Sequence, residues 1–255
     1  MPPILIIFIL GLFLGTLLNV VIIWLPREGA RQEAPPGRAE GPGEAPQAGA
    51  PGGWPLTGWQ HVPVVGWLVA RRRGQAVHWI FPLVELATGV SLALLYARYG
   101  LATPFFYLAF VAAVLIVTGA IDWLHRSIYT VVILGGALVA LAAASFISRH
   151  SLANALVGAL VAGFVFVIFY MLARAMYPGA AAPFGLGDVY LAIFIGAAVG
   201  FTNLLPAIFL GMLLAGLFSV AILVLRRAGR PTQQYISYGT FLCVGALAYL
   251  LTRGL

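Results

Sequence analysis

The sequence predicts an all-α, polytopic membrane protein of about eight transmembrane helices with one long cytoplasmic loop, and three observations carry that prediction. Hydrophobic residues make up 62% of the chain, charged residues only 8%, and mean hydropathy is +1.01, whereas an average soluble domain has about 25% charged residues. Apolar runs of roughly 20 residues, the length that crosses a bilayer, recur from end to end. Arginines fall mainly into every second connection. Backbone polar groups inside lipid must be satisfied internally, which leaves helices or a closed barrel. No barrel pattern of short alternating strands is present, so helices remain.

The first run, Ile4 to Leu25, is too long for a signal-peptide core and has neither a basic start nor a small-residue cleavage site, so it reads as a span. Its Gly11-x-x-x-Gly15 spacing suits close helix packing. Residues 1–79 read as this span plus a cytoplasmic loop, and 80–255 as the main membrane domain. Residues 27–53 are charged and rich in Gly, Pro and Ala, a composition of disorder. Residues 54–79 carry Trp54, Trp59, Trp67, Trp79 and Arg71-Arg72-Arg73, which suits a membrane interface. Further spans are expected at 80–98, 103–122, 128–147, 152–176, 188–202, 204–225 and 237–252, the sixth being the shortest.

All fourteen basic residues are arginines. With alternating connections one face receives Arg27, Arg31, Arg38, Arg71, Arg72, Arg73, Arg126, Arg174, Arg226, Arg227 and Arg230, and the other Arg98, Arg149 and Arg253. The positive-inside rule then puts the long loop in the cytoplasm and both termini outside. The same bias explains the net charge of +7 by membrane topology, so nucleic acid is not an expected partner. The single cysteine, Cys243, permits neither an intrachain disulfide nor a cysteine-cluster metal site. His61, His78, His125 and His150 are scattered with no helical pair on one face, so no metal site is expected.

The acids are the sharper signal. Four of seven lie at Glu28, Glu33, Glu40 and Glu44, leaving only Glu85, Asp122 and Asp188 elsewhere. Asp188 follows Gly185-Leu186-Gly187, two glycines that free the backbone for conformations a Cβ disfavours. Asp122 closes the third span as it reaches the cytoplasm and Asp188 opens the sixth as it leaves, so both lie at one membrane depth. Two carboxylates close together in a low-dielectric site share a proton, and such a pair can activate water and polarise a peptide carbonyl. The bland alternative is that each caps a helix or pairs with Arg126 or Arg174. His125, three residues after Asp122, could tune that carboxylate or simply cap. Glu85 could contact Arg71–Arg73, Asn19 or a substrate.

The chain resembles the type IV prepilin peptidases, membrane aspartyl proteases with a Gly-x-Gly-Asp motif. Gly15-Thr16-Leu17-Leu18-Asn19-Val20-Val21-Ile22-Ile23-Trp24-Leu25-Pro26 is similar to that family's Gly-Ser-Phe-Leu-Asn-Val-Val-Ile-x-Arg-Leu-Pro opening. His61-Val62-Pro63-Val64-Val65-Gly66-Trp67-Leu68 and Phe81-Pro82-Leu83-Val84-Glu85-Leu86-Ala87-Thr88-Gly89 resemble its next two segments. Gly187-Asp188-Val189 matches the second catalytic motif, and Tyr238-Gly239-Thr240-Phe241-Leu242 is similar to a closing Phe-Gly-Pro-Phe-Leu. The resemblance implies an endopeptidase that removes the leader of prepilins or pseudopilins at the cytoplasmic face of the cell membrane. Asp122 and Asp188 would be its catalytic pair and Gly185 and Gly187 their support. It implies that proteolysis needs no cofactor, and that S-adenosylmethionine is the donor if a second, N-methylating activity is retained. Zinc is not expected, because the family's two Cys-x-x-Cys pairs are missing. The first motif also departs: where the family has Ile-Pro-Asp/Asn, this chain has Ile128-Tyr129-Thr130. That departure keeps a non-catalytic pilus or secretion assembly factor as an alternative. A proton-coupled transporter is a third reading, although transporters place coupling acids near the midplane between inverted repeats, and no repeat is visible.

Overall fold

A computed structural model describes residues 3–33, 67–68, 72, 78–147, 150–176, 185–228 and 237–254. They form eight helices: α1 (Pro3–Glu33), α2 (Ile80–Tyr99), α3 (Thr103–His125), α4 (Thr130–Ala144), α5 (Leu152–Met176), α6 (Leu186–Val199), α7 (Phe201–Arg227) and α8 (Tyr238–Arg253). Among the described residues there is no strand, only an isolated bridge between Ile147 and His150. The described residues are therefore all-helical, and the chain is a polytopic membrane protein, as its composition requires. Most of the expected 27–53 disorder and 54–79 interface lies outside the described residues. Where they overlap, α1 continues past Pro26 to Glu33.

Two compact units divide at Ala97 and Arg98. In the first, α1 and α2 approach through glycine. A Cβ on Gly11 would lie 2.7 Å from Gly89 Cα, and one on Gly15 would lie 2.5 Å from Glu85 Cα. The Gly11-x-x-x-Gly15 spacing is thus a packing surface.

The second unit is built around α6, which packs on α4, α5, α7 and α8. Leu191, Ala192, Phe194, Ala197 and Val199 are fully buried there. At 14 residues α6 is about 21 Å long, short of the roughly 30 Å hydrocarbon core, so its end must be satisfied by the protein. Every one of its last carbonyls has a partner: Gly200 N–H donates to Gly196 O (2.9 Å), His150 Nε2 lies 3.0 Å from Ala197 O, Tyr107 Oη donates to Ala198 O (2.9 Å), and Asn203 Nδ2 to Val199 O (3.2 Å). This closes the accounting that an apolar environment imposes on a helix C-terminus. Gly200, at φ 75°, turns the chain into α7, where Asn154 Oδ1 accepts the Thr202 N–H at 3.2 Å.

Among the described residues five helices are long and apolar enough to cross a membrane: α2, α3, α5, α7 and the Pro3–Pro26 part of α1. α4 and α6 are apolar but shorter.

Candidate active site

Asp122 lies one turn before the end of α3, a helix buried from Leu115 to Asp122 on almost every side. Arg126 ends the helix in the left-handed region (φ 54°, ψ 37°) and donates its N–H to Asp122 O at 2.8 Å. The Asp122 side chain is 6% exposed. Its Oδ2 accepts the Thr240 backbone N–H at 2.6 Å and lies 3.0 Å from Thr240 Oγ1. Thr240 is the third residue of α8, so Asp122 caps a helix far away in sequence, at the end where the dipole favours negative charge. The cap residue of α8 itself, Ser237, sends its hydroxyl instead to Asp122 O at 3.1 Å.

Asp188 opens α6. Its Oδ2 accepts the Gly185 N–H at 3.1 Å, and its own N–H donates to Gly185 O at 3.1 Å, so the first turn is closed in both directions. Each carboxylate is thus held through Oδ2 by a main-chain N–H at a helix N-terminus. Among the described residues neither Oδ1 accepts a hydrogen bond.

The structure brings the two acids together: the charge of Asp122 acts on Asp188, and both act on the Cys243 thiol. Ile128 is the wedge between their supports. Its Cβ lies 2.9 Å from where a Cβ on Gly187 would be, and its Cδ1 lies 3.1 Å from one on Gly239. A Cβ on Gly239 would also stand 3.0 Å from Asp122 Oδ2.

These contacts correct the sequence reading of the glycines. Gly185 has an ordinary extended backbone (φ −100°, ψ 159°), and among the described residues the positive-φ glycines are Gly100, Gly200 and Gly254. Gly187 is required for space, not for conformational freedom. The arginine alternatives also resolve. Arg126 lies near enough for its charge to act on Asp122, whereas Arg174 donates to Tyr170 Oη on its own helix at 2.8 Å. His125 ends α3 but makes no hydrogen bond with Asp122 among the described residues.

Glu85 and Asn19 belong to the first unit. Glu85 Oε1 accepts from Thr16 Oγ1 at 3.0 Å and Asn19 Nδ2 at 3.3 Å, and Asn19 Nδ2 also reaches Phe81 O at 3.1 Å. Glu85 is 6% and Asn19 0% exposed, so the Glu85–Asn19 contact that the sequence offered is present, while Arg71 and Arg73 lie outside the described residues. Sequence reasoning missed Thr240, Ser237 and Ile128 as site residues. The Tyr238-Gly239-Thr240 segment stood out by resemblance alone, and nothing local shows that it caps onto Asp122.

The chain matches the family model for the type IV leader peptidase family over residues 109–220 and that for the bacterial peptidase A24 N-terminal domain over 9–99. It is 33% identical to a prepilin leader peptidase/N-methyltransferase of Dickeya chrysanthemi, over 95% of this chain and 90% of that protein. Proteins of the same description from Myxococcus xanthus and Xanthomonas campestris pv. campestris are each 26% identical, covering 89% and 92% of this chain and 65% and 86% of theirs. No solved structure matches.

Proposed function

Because the chain belongs to the type IV leader peptidase family, we propose that it is a membrane aspartyl endopeptidase that removes the N-terminal leader of type IV prepilins or pseudopilins, with Asp122 and Asp188 as the catalytic pair. One observation carries the assignment of residues: two carboxylates, each tied through one oxygen to a helix N-terminus, lie within electrostatic reach of each other. Such a pair shares a proton. The ionised partner takes a proton from the attacking water, while the protonated one hydrogen-bonds the scissile carbonyl and stabilises the charge that develops on it. Both oxygens needed are the Oδ1 atoms, since the Oδ2 atoms are engaged.

The arginine bias supports a cytoplasmic active site in the cell membrane, eight spans and extracytoplasmic termini. There water reaches the pair while the substrate's apolar segment remains in lipid. The relatives' names add N-methylation, for which S-adenosylmethionine would supply the methyl group. In the first unit the buried Asn19 Oδ1 has no hydrogen-bond partner among the described residues and lies in the residue that meets Glu85. These acceptors suit an amine or a sulfonium cation, so the residues present are compatible with that activity.

The altered Ile128-Tyr129-Thr130 stretch favours one other reading, a non-catalytic assembly factor. Incubating the purified full chain with a prepilin from the same cell, with and without S-adenosylmethionine, and weighing the product decides between them. Loss of the leader mass is expected, and a further methyl increment appears only if the second activity is present. An unchanged prepilin mass, in protein shown to be folded, would leave the assembly factor.

A further inference from the structure

Thr240 makes more contacts with Asp122 than a helix cap needs. Its backbone N–H already caps on Oδ2 at 2.6 Å. Its hydroxyl then stands 3.0 Å from two acceptors at once, Asp122 Oδ2 and the Gly119 carbonyl one turn earlier on α3. A hydroxyl has one proton to donate and lone pairs to accept with, so these distances describe two alternative arrangements. When Asp122 is ionised, the Thr240 hydroxyl donates to Oδ2. When Asp122 is protonated on Oδ1, its Oδ2 is a neutral carbonyl oxygen and a weaker acceptor, still held by the Thr240 N–H, and the Thr240 hydroxyl turns to Gly119 O. The heavy atoms need not move in either case, and no buried donor is left unmatched.

The geometry points to Thr240 as the positioning residue of Asp122: it fixes Oδ2 in both protonation states and leaves Oδ1 as the oxygen that meets water or peptide. This inference rests on the reading of Asp122 as half of the catalytic pair. The surroundings support it. Gly239 leaves room for Oδ2 that a Cβ would fill, and Ser237 ties the Asp122 main chain to the same turn. The charge of Asp188 also reaches the Tyr238 phenol, two residues from Thr240, so the first turn of α8 borders both acids.

The test uses the full-length protein and a prepilin substrate, comparing Thr240→Ser, Thr240→Ala and Thr240→Val, with Asp122→Asn alongside. Ser keeps the hydroxyl, Ala loses it together with bulk, and Val loses it while keeping the volume. Thr240→Ser is expected to keep kcat within about threefold, and Thr240→Ala and Thr240→Val to lower it roughly tenfold or more, the worth of one hydrogen bond to a charged group. KM should change less than about twofold, because the lost interaction belongs to the reacting state. The acid limb of the kcat profile should move towards higher pH, since the ionised form has lost a donor. A merely structural threonine would change the amount of folded protein without moving that limb. The inference is overturned if Ala and Val variants match Thr240→Ser in kcat, or if their loss lies in KM with an unmoved profile. Should one of the two fail to accumulate, the other still gives the comparison with Ser. Undiminished cleavage by Asp122→Asn would instead refute the catalytic reading, whatever the Thr240 variants do.

Discussion

Gly187 and Gly239 face one isoleucine, and that contact makes a sharp prediction. A Cβ on Gly187 would approach Ile128 Cβ to 2.9 Å, inside ordinary contact, so Gly187→Ala should cost about 1–3 kcal/mol of stability and lower cleavage. Ile128→Gly in the same chain should restore part of both, since it removes that Cβ and the atoms beyond it; equal losses in single and double variants would show that the contact is not the cause. A second prediction concerns His150. Its Nε2 faces Ala197 O, its Nδ1 is buried with no partner among the described residues, Tyr107 lies beside it at 5.8 Å between ring centroids, and burial lowers its pKa from 6.5. The sign follows from linkage: above about pH 6.5 the ring is neutral folded or unfolded, and below it the unfolded chain binds the proton first, so stability falls as pH drops. Thermal melts between pH 8 and pH 5 should show that fall in wild type and a smaller one in His150→Gln. At this scale the sequence made the two aspartates legible because carboxylates are so rare in an apolar chain. Their partners were not legible: Thr240 stands 118 residues from Asp122, and which helix N-terminus reaches which acid is decided by packing.

Between elements, α5 and α6 approach closely in the second unit, where Gly158 and Gly196 meet backbone to backbone. A Cβ on either would run into the other's carbonyl, so Gly158→Ala or Gly196→Ala should sharply reduce folded protein. Gly135 and Gly216 have nothing within 4 Å of a would-be Cβ, and the same substitution there should be tolerated. Detergent-stable yield by size-exclusion chromatography measures the contrast, and equal behaviour of the two pairs would contradict this packing. The apolar runs foretold these helices but not their ends. The sixth span was expected over 188–202, whereas α6 covers Leu186–Val199. Gly200 turns at φ 75° and Asn154, from another helix, holds Thr202, and hydropathy registers neither.

For the whole molecule, the arginine asymmetry predicts topology. Reporters fused after Arg126 and Arg230 should read as cytoplasmic and one after Arg149 as external; a fusion after Arg126 reporting the outside would remove the cytoplasmic site. The fold class was legible from composition alone, since lipid leaves so few backbone solutions. The number of spans was less so, because α4 and α6 are too short to be recognised by length. The central claim is that Asp122 and Asp188 work as one catalytic unit. Asn keeps the shape and the cap acceptor of Asp but cannot exchange the proton. The most direct measurement is therefore the mass of a prepilin incubated with purified wild type, Asp122→Asn, Asp188→Asn and the double variant, all at matched folded yield. The account predicts leader removal by wild type alone, with the double variant no worse than either single one. Leader removal by Asp188→Asn at the wild-type rate would contradict it.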